Sequence, residues 1–155
     1  PELPAGSDYH NYYISYYARS DIRKPLSFDA RGRIGEYYNG RRFEIEGDAN
    51  YRFRPFGVVS LAFSYNRVRL PKPYYDADLY LIGPKFDITF TKTLYFATLI
   101  QYNNQINNIN VNARFQWRYK PASDIYLVYT DNYYGDVFQS KNRALVFKIT
   151  YWLNI

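Results

Sequence analysis

Between residues 41 and 54, Phe43, Ile45, Gly47, Ala49, Tyr51 and Phe53 share one parity, and Arg42, Glu44, Glu46, Asp48, Asn50, Arg52 and Arg54 share the other. A period of two is the side-chain period of a β-strand. One face of this strand is uncharged and the other almost wholly charged. About 9–11 residues of tilted strand suffice to cross a bilayer, and this run is long enough. Residues 109–120 repeat the pattern, with Ile109, Val111, Ala113, Phe115, Trp117 and Tyr119 against Asn110, Asn112, Arg114, Gln116, Arg118 and Lys120. The expected fold is all-β: an antiparallel, up-and-down transmembrane β-barrel.

Composition agrees. A mean hydropathy of −0.50, with no apolar stretch near the ~18 residues of a membrane helix, excludes helical spanning. Alternation dilutes the hydropathy of a barrel strand, so a barrel is not excluded. Apolar residues make up 47% of the chain, too many for a disordered tail. Twenty Tyr and 11 Phe exceed what a core of this size needs. Tyr offers a ring to lipid and a hydroxyl to water, which suits membrane interfaces. There is no Cys, hence no disulfide and no thiolate metal site. The net charge of +6 is spread along strands among acids, a distribution that argues against a nucleic-acid partner.

Turn signals divide the chain into about nine strands, at 9–19, 26–38, 41–54, 58–69, 78–91, 94–103, 108–120, 124–131 and 142–154. Connections at 20–25, 55–57, 91–93 and 120–124 are short, while 70–77 and 131–141 are long. Outer-membrane barrels have short periplasmic turns and longer extracellular loops, so the first set is assigned to the periplasm. The expected barrel spans 9–155, with 1–8 as an extracellular or linker segment. Nine is odd, whereas single-chain bacterial barrels have even strand numbers. The chain is therefore expected to be the C-terminal portion of a larger barrel.

Asn39-Gly40 is a hairpin signal, because a type I′ turn needs positive φ at both central residues. With Tyr38 opposite Arg41, the register sets Arg33 against Glu46 and Arg31 against Asp48 as ion pairs of the lumen, and Ile34 against Ile45 on the other face. The other lumen-facing candidates are Asp29, Glu44, Arg52, Arg54, Lys85, Asp87, Arg114, Arg118 and Lys148. The outward aromatics divide by strand end. Phe28, Tyr51, Phe53, Phe90, Trp117, Tyr119 and Tyr151 fall at the periplasmic end, and Tyr12, Tyr65, Tyr80, Tyr102 and Tyr129 at the outer end, as two girdles would. A soluble barrel turns its apolar face inward and has no reason to collect rings at both rims.

At the C-terminus, Leu145, Phe147, Ile149, Tyr151, Leu153 and Ile155 share one parity. Such a final strand resembles the recognition signal of the barrel-assembly machinery, with Ile155 in place of the usual terminal Phe. Three stretches, 20–28 (SDIRKPLSF), 114–129 (RFQWRYKPASDIYLVY) and 142–152 (NRALVFKITYW), resemble the C-terminal end of a large family of uncharacterised outer-membrane proteins. The resemblance covers most of the chain, and it is most specific from Phe115 to Tyr129. It implies a C-terminal barrel that follows an N-terminal carbohydrate-binding-like β-domain, without any established activity. Where that family has Gly after the turn proline, this chain has Ala122.

Chemistry is sparse. His10 is the only histidine; Ser15 and Asp8 lie near it in sequence, but no recognised catalytic motif surrounds them, and a zinc site lacks partners. No catalytic, metal or cofactor residue is expected. Arg67, Arg69 and Lys72 fall at the outer rim, at the height of lipopolysaccharide phosphates. Ala30, Gly32, Gly47 and Ala49 form a small-residue notch on the lipid face, suited to a partner protein or lipid chain.

The expected location is the outer membrane of a Gram-negative bacterium, with lipid, lipopolysaccharide and other outer-membrane proteins as partners. A non-catalytic pore, or an anchor for an N-terminal domain, is the first functional expectation. A scaffold subunit with a plugged lumen is the second, and a barrel hydrolase the third.

Overall fold

The computed structural model describes residues 10–153. The expectations for residues 1–8, for Asp8 and for Ile155 lie outside the described residues. Nine strands follow one another: β1 (Tyr13–Arg19), β2 (Leu26–Tyr37), β3 (Gly40–Phe53), β4 (Gly57–Arg69), β5 (Ala77–Thr91), β6 (Leu94–Asn103), β7 (Asn108–Lys120), β8 (Ser123–Tyr134) and β9 (Ser140–Ile149). Each pairs antiparallel with the next, in a single sheet ordered as the sequence is. The fold is all-β and up-and-down, with the strand order and alternation of a transmembrane barrel.

Three boundaries move by more than two residues. β1 begins at Tyr13, later than the turn signals placed it. β8 runs on to Tyr134, so residues 131–134, expected in a long loop, are paired. β9 ends at Ile149, opposite Ile125 and two rows short of Ser123, where β8 begins. Thr150 still exchanges backbone hydrogen bonds with Asp124, its N–H donating at 2.8 Å and its carbonyl accepting at 3.1 Å.

The register of the first long hairpin also differs. Tyr37 pairs with Gly40, which leaves Tyr38 and Asn39 as the turn. Tyr38, with φ of 51°, supplies the left-handed residue. Gly40 is needed for another reason: a Cβ there would collide with the Arg69 carbonyl oxygen of β4. The glycine that looked like a turn residue is thus a point of close backbone approach. The shift is by an even number of residues, so every side chain keeps its face while its partner changes.

Directly opposite residues share a face, so the register defines two surfaces. On one lie Phe28, Ile45, Phe63, Phe86, Phe96, Phe115, Leu127 and Phe147; on the other, Arg31, Glu46, Ser64, Lys85, Asn112, Gln116 and Lys148. On the apolar surface β3 is uncharged from Phe43 to Phe53, β5 from Tyr80 to Phe90, and β7 from Ile109 to Tyr119. Charge enters that surface towards the ends joined by residues 38–39, 70–76 and 135–139, at Glu36, Arg41, Arg67, Arg69, Asp78, Asp131 and Arg143.

No apolar side chain is buried among the described residues, and Phe28, Ile82, Phe115, Trp117, Leu145 and Phe147 are exposed. Removing one such side chain from water stabilises by about 1.5–3 kcal/mol. A sheet that forgoes this along one continuous face requires an apolar medium against it. Grooves indent the opposite, polar face, one lined by Arg31, Arg33, Glu44 and Glu46 and another by Ser64, Asn66, Leu79 and Leu81. Among the described residues, β1 pairs only with β2 and β9 only with β8, so both are edges of the sheet.

Candidate functional site

The polar face divides by strand. On β2 and β3 it is dense in charge. Arg31 Nε donates to Glu46 at 2.7 Å, Arg33 lies 3.6 Å from Glu44, and Arg42 lies 2.6 Å from the same carboxylate. This corrects the expected partners. Arg31 pairs with Glu46, not Asp48, and Arg33 pairs with Glu44, not Glu46, because the turn is Tyr38-Asn39. Asp48 instead stands opposite Asp29 on β2 and Ala62 on β4, and among the described residues it has no ion-pair partner. Asp29 accepts a hydrogen bond from the Tyr17 hydroxyl at 2.7 Å.

β4 to β6 present smaller and mostly neutral groups, among them Ser60, Ala62, Ser64, Gly83, Ala97 and Leu99, together with the Lys85–Asp87 pair at 2.7 Å. On β7 and β8 the face becomes a ladder of amides. Asn110 Nδ2 donates to Asn132 at 2.7 Å, Asn112 Nδ2 to the Thr130 hydroxyl at 2.9 Å, and Gln116 Nε2 to Asp124 at 3.0 Å and to the Tyr126 hydroxyl at 3.1 Å. Arg118 Nε lies 3.2 Å from Asp124. Arg52 donates to the Ile22 carbonyl in the β1–β2 turn. Arg114 and Lys148 share this face but form no hydrogen bond or ion pair among the described residues.

The apolar face carries the aromatic candidates. Tyr51 and Phe53 end β3, Phe90 lies near the end of β5, Trp117 and Tyr119 near the end of β7, and Tyr151 just beyond β9. Tyr65 pairs with Tyr80 across β4 and β5, the Tyr80 and Tyr102 rings lie 5.6 Å apart, and Tyr129 lies on β8. Ala30 pairs with Gly47, and Phe28 with Ala49. At Gly32 the surface is occupied by the Tyr16 ring of β1, which an added Cβ would strike. At the rim, Arg67 lies 3.8 Å from Asp78, and Arg69 contacts both Asp76 and Asp78. Lys72 is exposed in the connection 70–76. His10 is exposed ahead of β1, and Ser15 lies on β1 opposite Arg33.

One cluster escaped the sequence reading. Asp131, on the apolar face of β8, is fully buried. Its carboxylate accepts from Arg143 Nε at 2.7 Å, the Ser140 hydroxyl at 2.6 Å and the Tyr129 hydroxyl at 2.7 Å. The signal was present in the shared parity of Tyr129, Asp131 and Tyr133, but β8 was expected to stop at residue 131.

No family model matches the chain, and no curated protein matches it. A solved structure described as "KdgM porin in complex with disordered oligogalacturonate" is similar, with a TM-score of 0.47 and 8% identity, over 90% of this chain and 72% of that one.

Proposed function

We propose that the chain forms a wall of a non-catalytic outer-membrane pore in a Gram-negative envelope, with its apolar face against lipid and its polar face lining a solute path. The observation that carries this reading is the continuous uncharged face over a sheet that, among the described residues, buries no apolar side chain. Hydrocarbon outside and water inside satisfy both faces at once. The two edge strands support completion of the barrel by further strands, since an unpaired edge at membrane depth leaves N–H and C=O groups unsatisfied.

Anchoring of an N-terminal domain, as the family resemblance implies, is compatible with the same barrel. Arg67, Arg69 and Lys72 at the rim would meet lipopolysaccharide phosphates, and the barrel-assembly machinery would insert the chain. A plugged scaffold is the competing reading, favoured by the ion pairs that join β2 to β3. Single-channel recording in planar bilayers tests the choice. The pore reading expects discrete conductance steps, and a plugged lumen gives none.

A further inference from the structure

On the polar face of β5 to β7 lies a groove of about 280 Å³, lined by Asp87, Tyr95, Ala97, Arg114, Gln116 and Arg118. Its charges are compensated with one exception. Asp87 is held by Lys85 at 2.7 Å and Arg118 by Asp124 at 3.2 Å. Among the polar-face arginines of β2 to β8, Arg31, Arg33, Arg42 and Arg118 each have a carboxylate, and Arg52 has a carbonyl. Arg114 alone has neither.

The register explains why. Arg114 stands between Ala97 on β6 and Val128 on β8, side chains that offer no acceptor. On the adjoining row, Tyr95, Gln116, Tyr126 and Lys148 follow one another across β6 to β9. Gln116 and Tyr126 are fixed by the hydrogen bond between them and by Asp124, while Lys148 is a second cation without an ion pair. The result is two uncompensated cations beside rigid polar neighbours. Every other polar-face arginine of β2 to β8 meets a carboxylate or a carbonyl.

A guanidinium with all its donors free presents the planar fork that matches a carboxylate or a phosphate. We propose that Arg114, with Lys148 across Tyr126, is an oxyanion-binding subsite on the solute path, which takes the carboxylate or phosphate of a passing organic anion. The inference rests on the pore reading and adds to it a preference for anions and a position for it.

The test uses the full chain in planar bilayers, with reversal potentials in a KCl gradient and with citrate and inorganic phosphate as separate blockers. Arg114→Gln should move the reversal potential towards zero and weaken block by about tenfold, the equivalent of one charge-assisted contact. Lys148→Gln should give a smaller change in the same direction, and Arg31→Gln should leave block by either anion unchanged. Relief of citrate block alone assigns the site to carboxylates, and relief of phosphate block alone assigns it to phosphates. Unaltered selectivity and block in Arg114→Gln overturn the subsite while the pore stands. If no channel forms, the pore reading fails; the site is then read in micelles from the Arg114 Nε resonance, which citrate or phosphate should shift. A resonance that moves with neither overturns the subsite as well.

Discussion

Arg143 donates to Asp131 at 2.7 Å on the same side of the sheet as Leu127 and Phe147, and the carboxylate it meets has no exposure to solvent. A carboxylate on a lipid-facing surface persists only if its lone pairs are occupied. Ser140 and Tyr129 complete that shell. Since Ser140 opens β9, the cluster ties the β8–β9 hairpin together below the connection at 135–139.

Removal of Arg143 leaves the buried carboxylate short of its only cation. Arg143→Ala should therefore lower the urea midpoint of the folded chain in liposomes by more than Arg143→Lys does. The double change Arg143→Ala with Asp131→Asn should recover part of the loss. A midpoint unmoved by Arg143→Ala would show that the pair is not structural.

The β2–β3 register is open to cross-linking. Directly opposite Cβ atoms lie about 4.5–5.5 Å apart and diagonal neighbours about 7–8 Å apart, while a disulfide needs about 3.5–4.5 Å. Arg31→Cys with Glu46→Cys should oxidise readily, and Arg31→Cys with Asp48→Cys should not. The reverse result restores Asn39-Gly40 as the turn.

Ala122 follows Pro121 in the β7–β8 turn with φ of 56°, a conformation that disfavours an L side chain. This is the position where the resembled family has Gly. Ala122→Gly should stabilise the chain by about 0.5–1 kcal/mol, the relief of strain being partly offset by the freer unfolded chain. Urea unfolding in liposomes reads the change.

The two faces should respond differently to charge. Ala113 lies in the middle of the uncharged run on β7, opposite Thr98 and Tyr129. Ala113→Arg should destabilise by about 2–4 kcal/mol if that face meets the hydrocarbon midplane. Asn112→Arg, one residue away on the polar face, should lose only the bond to Thr130, about 1 kcal/mol. Equal losses at the two positions would refute the assignment of faces.

Face and strand were legible in the sequence because alternation survives any even slip in pairing. Phe43, Ile45 and Phe115 lie on one surface, and Glu46 and Arg114 on the other, as the parity of residues 41–54 and 109–120 implied. Pairing was less legible. The offset at Tyr37–Gly40 depends on how closely β4 approaches Gly40, and Arg69 is remote from that turn in sequence. The Asp131 shell was hidden for a similar reason, since Ser140 and Arg143 reach it only once β9 is in register. The notch at Gly32 looked vacant because nothing local marks Tyr16 as its occupant.

In the proposed pore, hydrocarbon meets the Phe115 side of the sheet and water meets the Arg114 side. Single nitroxide labels at residues 43 to 49 and 111 to 117, in chain folded into liposomes, test it by collision with oxygen and with a water-soluble nickel chelate. Oxygen access should peak at positions 43, 45, 47, 49, 111, 113, 115 and 117, and nickel access at the positions between them. Accessibilities in the opposite phase, or without a period of two, would contradict it.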